Sequence, residues 1–98
     1  MLAEAGATES ETGGVINFLT GTIGARVTVL LHRGEHEWRA GLRTLVEAVD
    51  VAAIAEQFGG GGHRKASGCR IPGGEAERDA FLREVDRLSA AQVAAAGS

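Results

Sequence analysis

A single cysteine, Cys69, excludes an intramolecular disulfide and any multi-cysteine zinc site. Aromatics are scarce: Phe18, Trp38, Phe58 and Phe81 are the only four, which leaves the core to Val, Ile, Leu and Ala. No apolar run reaches the length of a membrane span. The N-terminus lacks the charged-then-apolar pattern of a secretion signal. Together these absences make the cytoplasm the default location.

What is present fits one small domain with a modest core: 98 residues, 44% of them hydrophobic. The net charge of −3 hides an uneven distribution. Between Arg26 and Arg70 seven Lys/Arg face five Asp/Glu, with all three histidines in the same stretch. The first dozen residues carry only acids. A locally basic strip inside an acidic chain points to an anionic ligand rather than to general affinity for long nucleic acid.

Read for period, residues 1–12 form a small, polar linker or tail. The domain runs over 13–95, and 96–98 are a disordered tail. "GGVINFLTGTIG" puts Val15, Ile16, Phe18 and Leu19 on a helix-like stripe. "RVTVLLHR" (26–33) reads as a strand buried on both faces. "GEHE" then turns the chain into "WRAGLRT" (38–44), whose alternation sets Trp38, Ala40 and Leu42 against Arg39, Gly41 and Arg43. "DVAAIAEQF" opens on the N-cap Asp50 and repeats apolar residues at Val51, Ile54, Ala55 and Phe58. "KASGCRI" (65–71) is a short strand, stopped by Pro72-Gly73-Gly74. A long terminal helix buries Phe81, Leu82, Val85 and Leu88, with acids in its first turn as the helix dipole favours. The expected fold is mixed α/β, a small mixed sheet covered by helices in the order α-β-β-α-β-α.

The four glycines Gly59–Gly62 raise the central question, because each costs about 0.5–1 kcal/mol relative to alanine where the chain must be ordered. A flexible linker fits poorly between a patterned helix and a strand. Turn chemistry needs one or two glycines, not four. Two readings remain open: a structural loop, or a tight loop presenting backbone N–H groups to an anion. In the second, His63 donates hydrogen bonds to phosphate, and Arg64 or Lys65 adds charge. The spacing rejects both a Walker A loop and a dinucleotide fingerprint.

Other candidates weigh less. "HRGEH" (32–36) matches a metalloprotease string, but runs off a strand into a turn with Gly34 in its middle, so exposed hairpin residues are the better reading. Cys69 reads as a small strand residue. Arg43 is either a solvated strand arginine or a ligand contact.

The stretch "DVAAIAEQFGGGGHRKASGC" resembles the C-terminal, DHH-associated domain of the DHH phosphoesterase superfamily, and within it the bacterial nanoRNases, bifunctional enzymes acting on short oligoribonucleotides and 3'-phosphoadenosine 5'-phosphate. The family pattern is "D-V-S-x-I-A-x-x-F" followed by "G-G-G-G-H-x-x-A-A-G-C", with Ser67 here replacing the second alanine. "ETGGVINFL" is similar to the family's first helix, with Gly13 where glutamate is usual. "WRAGLRT" is similar to the strand ending "S-L-R-S", with Gly41 and Thr44 replacing both serines and Arg43 on the arginine position.

The resemblance implies a division of labour. A separate N-terminal DHH domain would hold two manganese ions and do the chemistry. This chain, lacking Asp-His-His, would have no catalytic residue and no metal site, and would be inactive alone. Gly60, Gly61, Gly62 and His63 would grip substrate phosphate and base, Arg43 would reach the same ligand, and Arg64 or Lys65 would flank it. Implied partners are short oligoribonucleotides or a nucleoside bisphosphate and the DHH domain; separately, the apolar stripe of the terminal helix offers a packing surface to a second copy in a homodimer. Alternatives within the resemblance are a RecJ-like exonuclease, a cyclic dinucleotide phosphodiesterase, and a stand-alone nucleotide- or RNA-binding module. The Ala/Gly/Arg richness suggests a bacterial source.

Overall fold

Alternation of apolar and polar side chains builds a six-stranded sheet with one face under helices and the other open. The computed structural model describes residues 8–12 and 15–97. In chain order the elements are β1 (Thr8–Thr12), β2 (Val15–Ile23), β3 (Val27–Arg33), β4 (Glu37–Arg43), α1 (Val51–Glu56), β5 (Gly61–His63), β6 (Ala66–Pro72) and α2 (Glu75–Ala96). The sheet order is β1-β2-β3-β4-β6-β5 and its pairings are antiparallel.

The mixed α/β class holds, with four differences from expectation, the first being that the sheet is antiparallel in all its described pairings rather than mixed. The segment around Val15–Ile23 is a strand, not a helix. Its apolar residues satisfy a helical spacing, but its β-branched content suits a pleated surface. Pairing with β3 sets Leu19 opposite Leu31, Gly21 opposite Val29 and Ile23 opposite Val27. Thr8–Thr12, read as part of a tail, form β1 against β2. β3 is not buried on both faces: Val27, Val29 and Leu31 are buried while Thr28, Leu30 and His32 are exposed. A sheet covered on one side only gives this alternation.

The covered face continues across β4 and β6 through Trp38, Ala40, Leu42, Cys69 and Ile71, and packs on Val51, Ile54 and Ala55 of α1 and Phe81, Leu82 and Val85 of α2. Each fully buried Val, Leu, Ile or Phe contributes about 1.5–3 kcal/mol. Phe58 packs edge-on against Phe81 with ring centroids 4.8 Å apart. Burial pushes the Cys69 thiol up to about 11, so it stays protonated at neutral pH.

The helices start as their sequences direct. Asp50 is extended and its carboxylate accepts from the Ala53 N–H at 3.1 Å. Gln92 on α2 braces the same residue, accepting from the Asp50 N–H at 2.8 Å and donating to its carbonyl at 3.0 Å. At the start of α2, Glu77 accepts from the Gly74 N–H at 2.8 Å. That bond holds the Glu77 carboxylate below its usual pKa. Farther along α2, the fully buried Ser89 hydroxyl accepts from Arg26 Nε at 3.1 Å, and the same guanidinium pairs with Asp86. Trp38 is held by the Gly74 carbonyl at 3.2 Å and lies beneath the Arg33 and Arg78 guanidiniums, 5.1 and 5.5 Å from its ring centre. His32 lies on β3 and His36 in the turn before β4, so "HRGEH" spans a hairpin rather than one helix face.

Candidate nucleotide-binding face

The glycine run is divided between a helix end and an edge strand instead of forming a free loop. Gly59 has φ +82°, the left-handed conformation that ends a helix. Its N–H donates to the Glu56 carbonyl at 3.2 Å, and that of Gly60 to Ala55 at 2.9 Å. Two of the four amides are thus spent within the fold. Gly61–His63 then pair with Gly68, Ser67 and Ala66.

The four positions differ in what a side chain would meet. A Cβ on Gly60 would collide with the Gly68 carbonyl oxygen and lie 2.6 Å from Cys69 Cβ. One on Gly62 would lie 2.7 Å from the Ala66 carbonyl oxygen, on a backbone with φ +147°. A Cβ on Gly61 would meet nothing within 4 Å among the described residues. Packing and backbone conformation therefore account for glycine at 59, 60 and 62, and leave Gly61 unexplained.

Register shows what Gly61 belongs to. Gly41 pairs with Gly68, and Gly68 with Gly61, so three neighbouring strands place glycine in one row of the open face. Glycine inside strands weakens them and often marks close approach of a ligand or another backbone. At Gly41 a Cβ would sit at ordinary contact distances, 3.7 Å or more from its neighbours. The exposed Leu30 lies opposite Gly41 in the same row. The result is a floor of bare backbone with one apolar side chain beside it, suited to a flat ring or sugar.

The row on one side of this floor carries Arg43 and His63, both registered on Ala66. Arg43 is exposed, has no carboxylate partner among the described residues, and donates only to the Leu42 carbonyl, at 3.1 Å. His63 is also exposed. The structure thus brings together Arg43, Gly61 and His63. It holds Gly60 and Gly62 against β6 as the backing of the edge strand. Arg64 and Lys65 turn to the β4–α1 connection: Arg64 donates to the Glu47 carbonyl at 3.1 Å, and Lys65 Nζ to the Val46 carbonyl at 2.8 Å. Their own carbonyls accept from the Val51 and Thr44 amides at 2.8 and 3.1 Å. The pair braces the loop behind Arg43.

Two departures from the resembled pattern have structural explanations. The Thr44 side chain is buried and donates to the Arg26 carbonyl at 2.8 Å. Ser67 is buried and donates to the Val51 carbonyl at 2.7 Å, tying β6 to α1. Both hydroxyls are used inside the fold. Gly41 lies on the floor itself. Gly13 lies outside the described residues.

Comparison with known proteins matches the DHHA1 domain family over residues 1–91. The chain belongs to the DHHA1 domain family. It is the DHH-associated domain of a DHH-family protein. Over 33 residues it is 58% identical to the oligoribonuclease NrnB of Bacillus subtilis (strain 168). That match covers 34% of this chain and 8% of the relative's length. No described helix is long and apolar enough to cross a membrane.

Proposed function

We propose that this DHHA1 domain is the substrate-binding part of a cytoplasmic bacterial phosphoesterase that hydrolyses short oligoribonucleotides, a nucleoside bisphosphate such as 3'-phosphoadenosine 5'-phosphate, or both. The observation that carries the reading is Gly61: a residue with room for a side chain, in a glycine row beside Arg43 and His63. A base or sugar lies on the Gly41–Gly68–Gly61 floor, against Leu30. A phosphate lies on the Arg43 guanidinium and the His63 ring, whose N–H groups make charge-assisted hydrogen bonds to it. Arg64 and Lys65 flank this contact from the loop they brace.

Among the described residues no three His, Cys, Asp or Glu converge as a ligand set for the manganese ions this reading calls for. In this reading the metals belong to an N-terminal DHH catalytic domain, the domain's main partner. This domain captures and orients substrate and hydrolyses nothing by itself. A homodimer of the whole enzyme is compatible with the same face.

The test is a backbone amide titration of the chain with 3'-phosphoadenosine 5'-phosphate and, separately, a short oligoadenylate. Saturable shifts at Gly61, Gly62 and His63 are expected, with Arg43→Ala weakening binding at least tenfold, since a hydrogen bond to a charged group is worth about 1.5–3 kcal/mol. Shifts unaffected by Arg43→Ala would overturn the reading. Preference for a long single strand would move it to a RecJ-like exonuclease, and preference for a cyclic dinucleotide to that phosphodiesterase class.

A further inference from the structure

The floor has a second cationic edge, which phosphate capture at Arg43 and His63 leaves unused. Arg39 of β4 pairs directly with Arg70 of β6, and His32 of β3 stands opposite Arg39 on the other side. Like charges directly opposite on one sheet face destabilise it. The nearby acid is Glu37, at 4.0 Å from Arg39 and 3.7 Å from Arg70. One carboxylate at that range, on arginines 64% and 71% exposed, leaves the pair with surplus positive charge. The fold gains little from this arrangement, whereas an anion would relieve it.

The same two arginines border a cleft of about 360 Å³, walled by Phe58, Gly59, Gly60 and Gly68. The cleft lies where β5 gives out. β5 covers β6 only from Ala66 to Gly68, so from Cys69 onward no strand among the described residues pairs with β6 on that side. Main-chain groups along this edge, an aromatic wall and two arginines together make a receptive site.

We infer that the Arg39–Arg70 cleft is a second phosphate subsite, taking a backbone phosphate of an oligoribonucleotide whose other end lies on Arg43 and His63. The inference rests on the proposed function. Spacing supports it. Arg39 and Arg43 are four residues apart on one strand, about 13 Å at about 3.3 Å per residue. That is the reach of about four stacked nucleotides at about 3.4 Å each, and of fewer when the strand is pulled straight. A mononucleoside bisphosphate occupies the Arg43 end and leaves the cleft empty. An oligonucleotide of three to five residues reaches both.

The test compares two ligands, 3'-phosphoadenosine 5'-phosphate and a labelled pentaadenylate, on the wild-type chain and on Arg39→Gln/Arg70→Gln. The double variant should bind pentaadenylate at least tenfold more weakly and the bisphosphate within twofold of wild type. The salt dependence of pentaadenylate binding should fall by about 0.7 in slope for each phosphate that the variant no longer neutralises. Glu37→Gln should act oppositely, tightening pentaadenylate binding severalfold and leaving the bisphosphate unchanged. Pentaadenylate affinity untouched by the double variant, or both ligands weakened alike, would overturn the inference. Failure of the underlying reading has a separate signature, an Arg43→Ala variant that binds both ligands as wild type does.

Discussion

The two faces of the sheet obey different rules although the same strands make both. On the covered face Val27, Val29, Leu31, Trp38, Ala40, Leu42 and Ile71 fill the space beneath α1 and α2. Each is accounted for by burial. On the open face Arg43, His63, Arg39 and Arg70 surround a row of glycines. A Cβ on Gly68 would press on the Ala40 carbonyl oxygen at 3.1 Å, but stability explains neither Gly41 and Gly61, where a side chain has room, nor the opposed arginines. The covered face shows what folding requires, and the open one what remains after that requirement is met.

Breaking the covered face should give the largest effect on stability. Leu31 is fully buried, and Leu31→Ala should cost about 2–5 kcal/mol by removing apolar contact and leaving a cavity. Chemical unfolding followed by Trp38 fluorescence measures it, and nucleotide affinity of the folded fraction should be unchanged. Gly60→Ala comes next. Its new methyl would strike the Gly68 carbonyl and Cys69, which should cost about 1–3 kcal/mol as an overpacked contact.

The smallest effect belongs to the start of α2. Because the Gly74 N–H lowers the Glu77 pKa, the stabilisation is fully present above the ordinary carboxylate value of 4.5. It is lost as pH falls through the lower folded value. Glu77→Ala should therefore melt slightly below wild type at pH 7, and the two curves should converge in acid. Convergence on raising the pH would contradict that assignment.

Much of this division was legible in the sequence. The alternation in "WRAGLRT" assigned Trp38, Ala40 and Leu42 to one face and the arginines to the other. Asp50 and the one-sided stripe of Val51, Ile54 and Ala55 marked α1, and both hold. The segment around Val15–Ile23 misled because four apolar residues in five fit either period, and only pairing with β3 decides between them. The glycine run was recognisable as special, but its division was not. Which glycines meet β6 and which meets solvent depends on the register of β5 on β6. The Arg39–Arg70 pair was hidden for the same reason, since two residues thirty-one apart in sequence become neighbours only through the β4–β6 ladder.

The measurement that tests the central claim most directly is a paired one on Gly61→Ala, unfolding free energy and affinity for 3'-phosphoadenosine 5'-phosphate. With no described residue within 4 Å of the added methyl, stability should stay within about 0.5 kcal/mol of wild type. Affinity should fall at least tenfold, because the methyl occupies the place of the ligand. A variant as stable as wild type that binds equally well would contradict the account and return Gly61, and the open face with it, to a structural role.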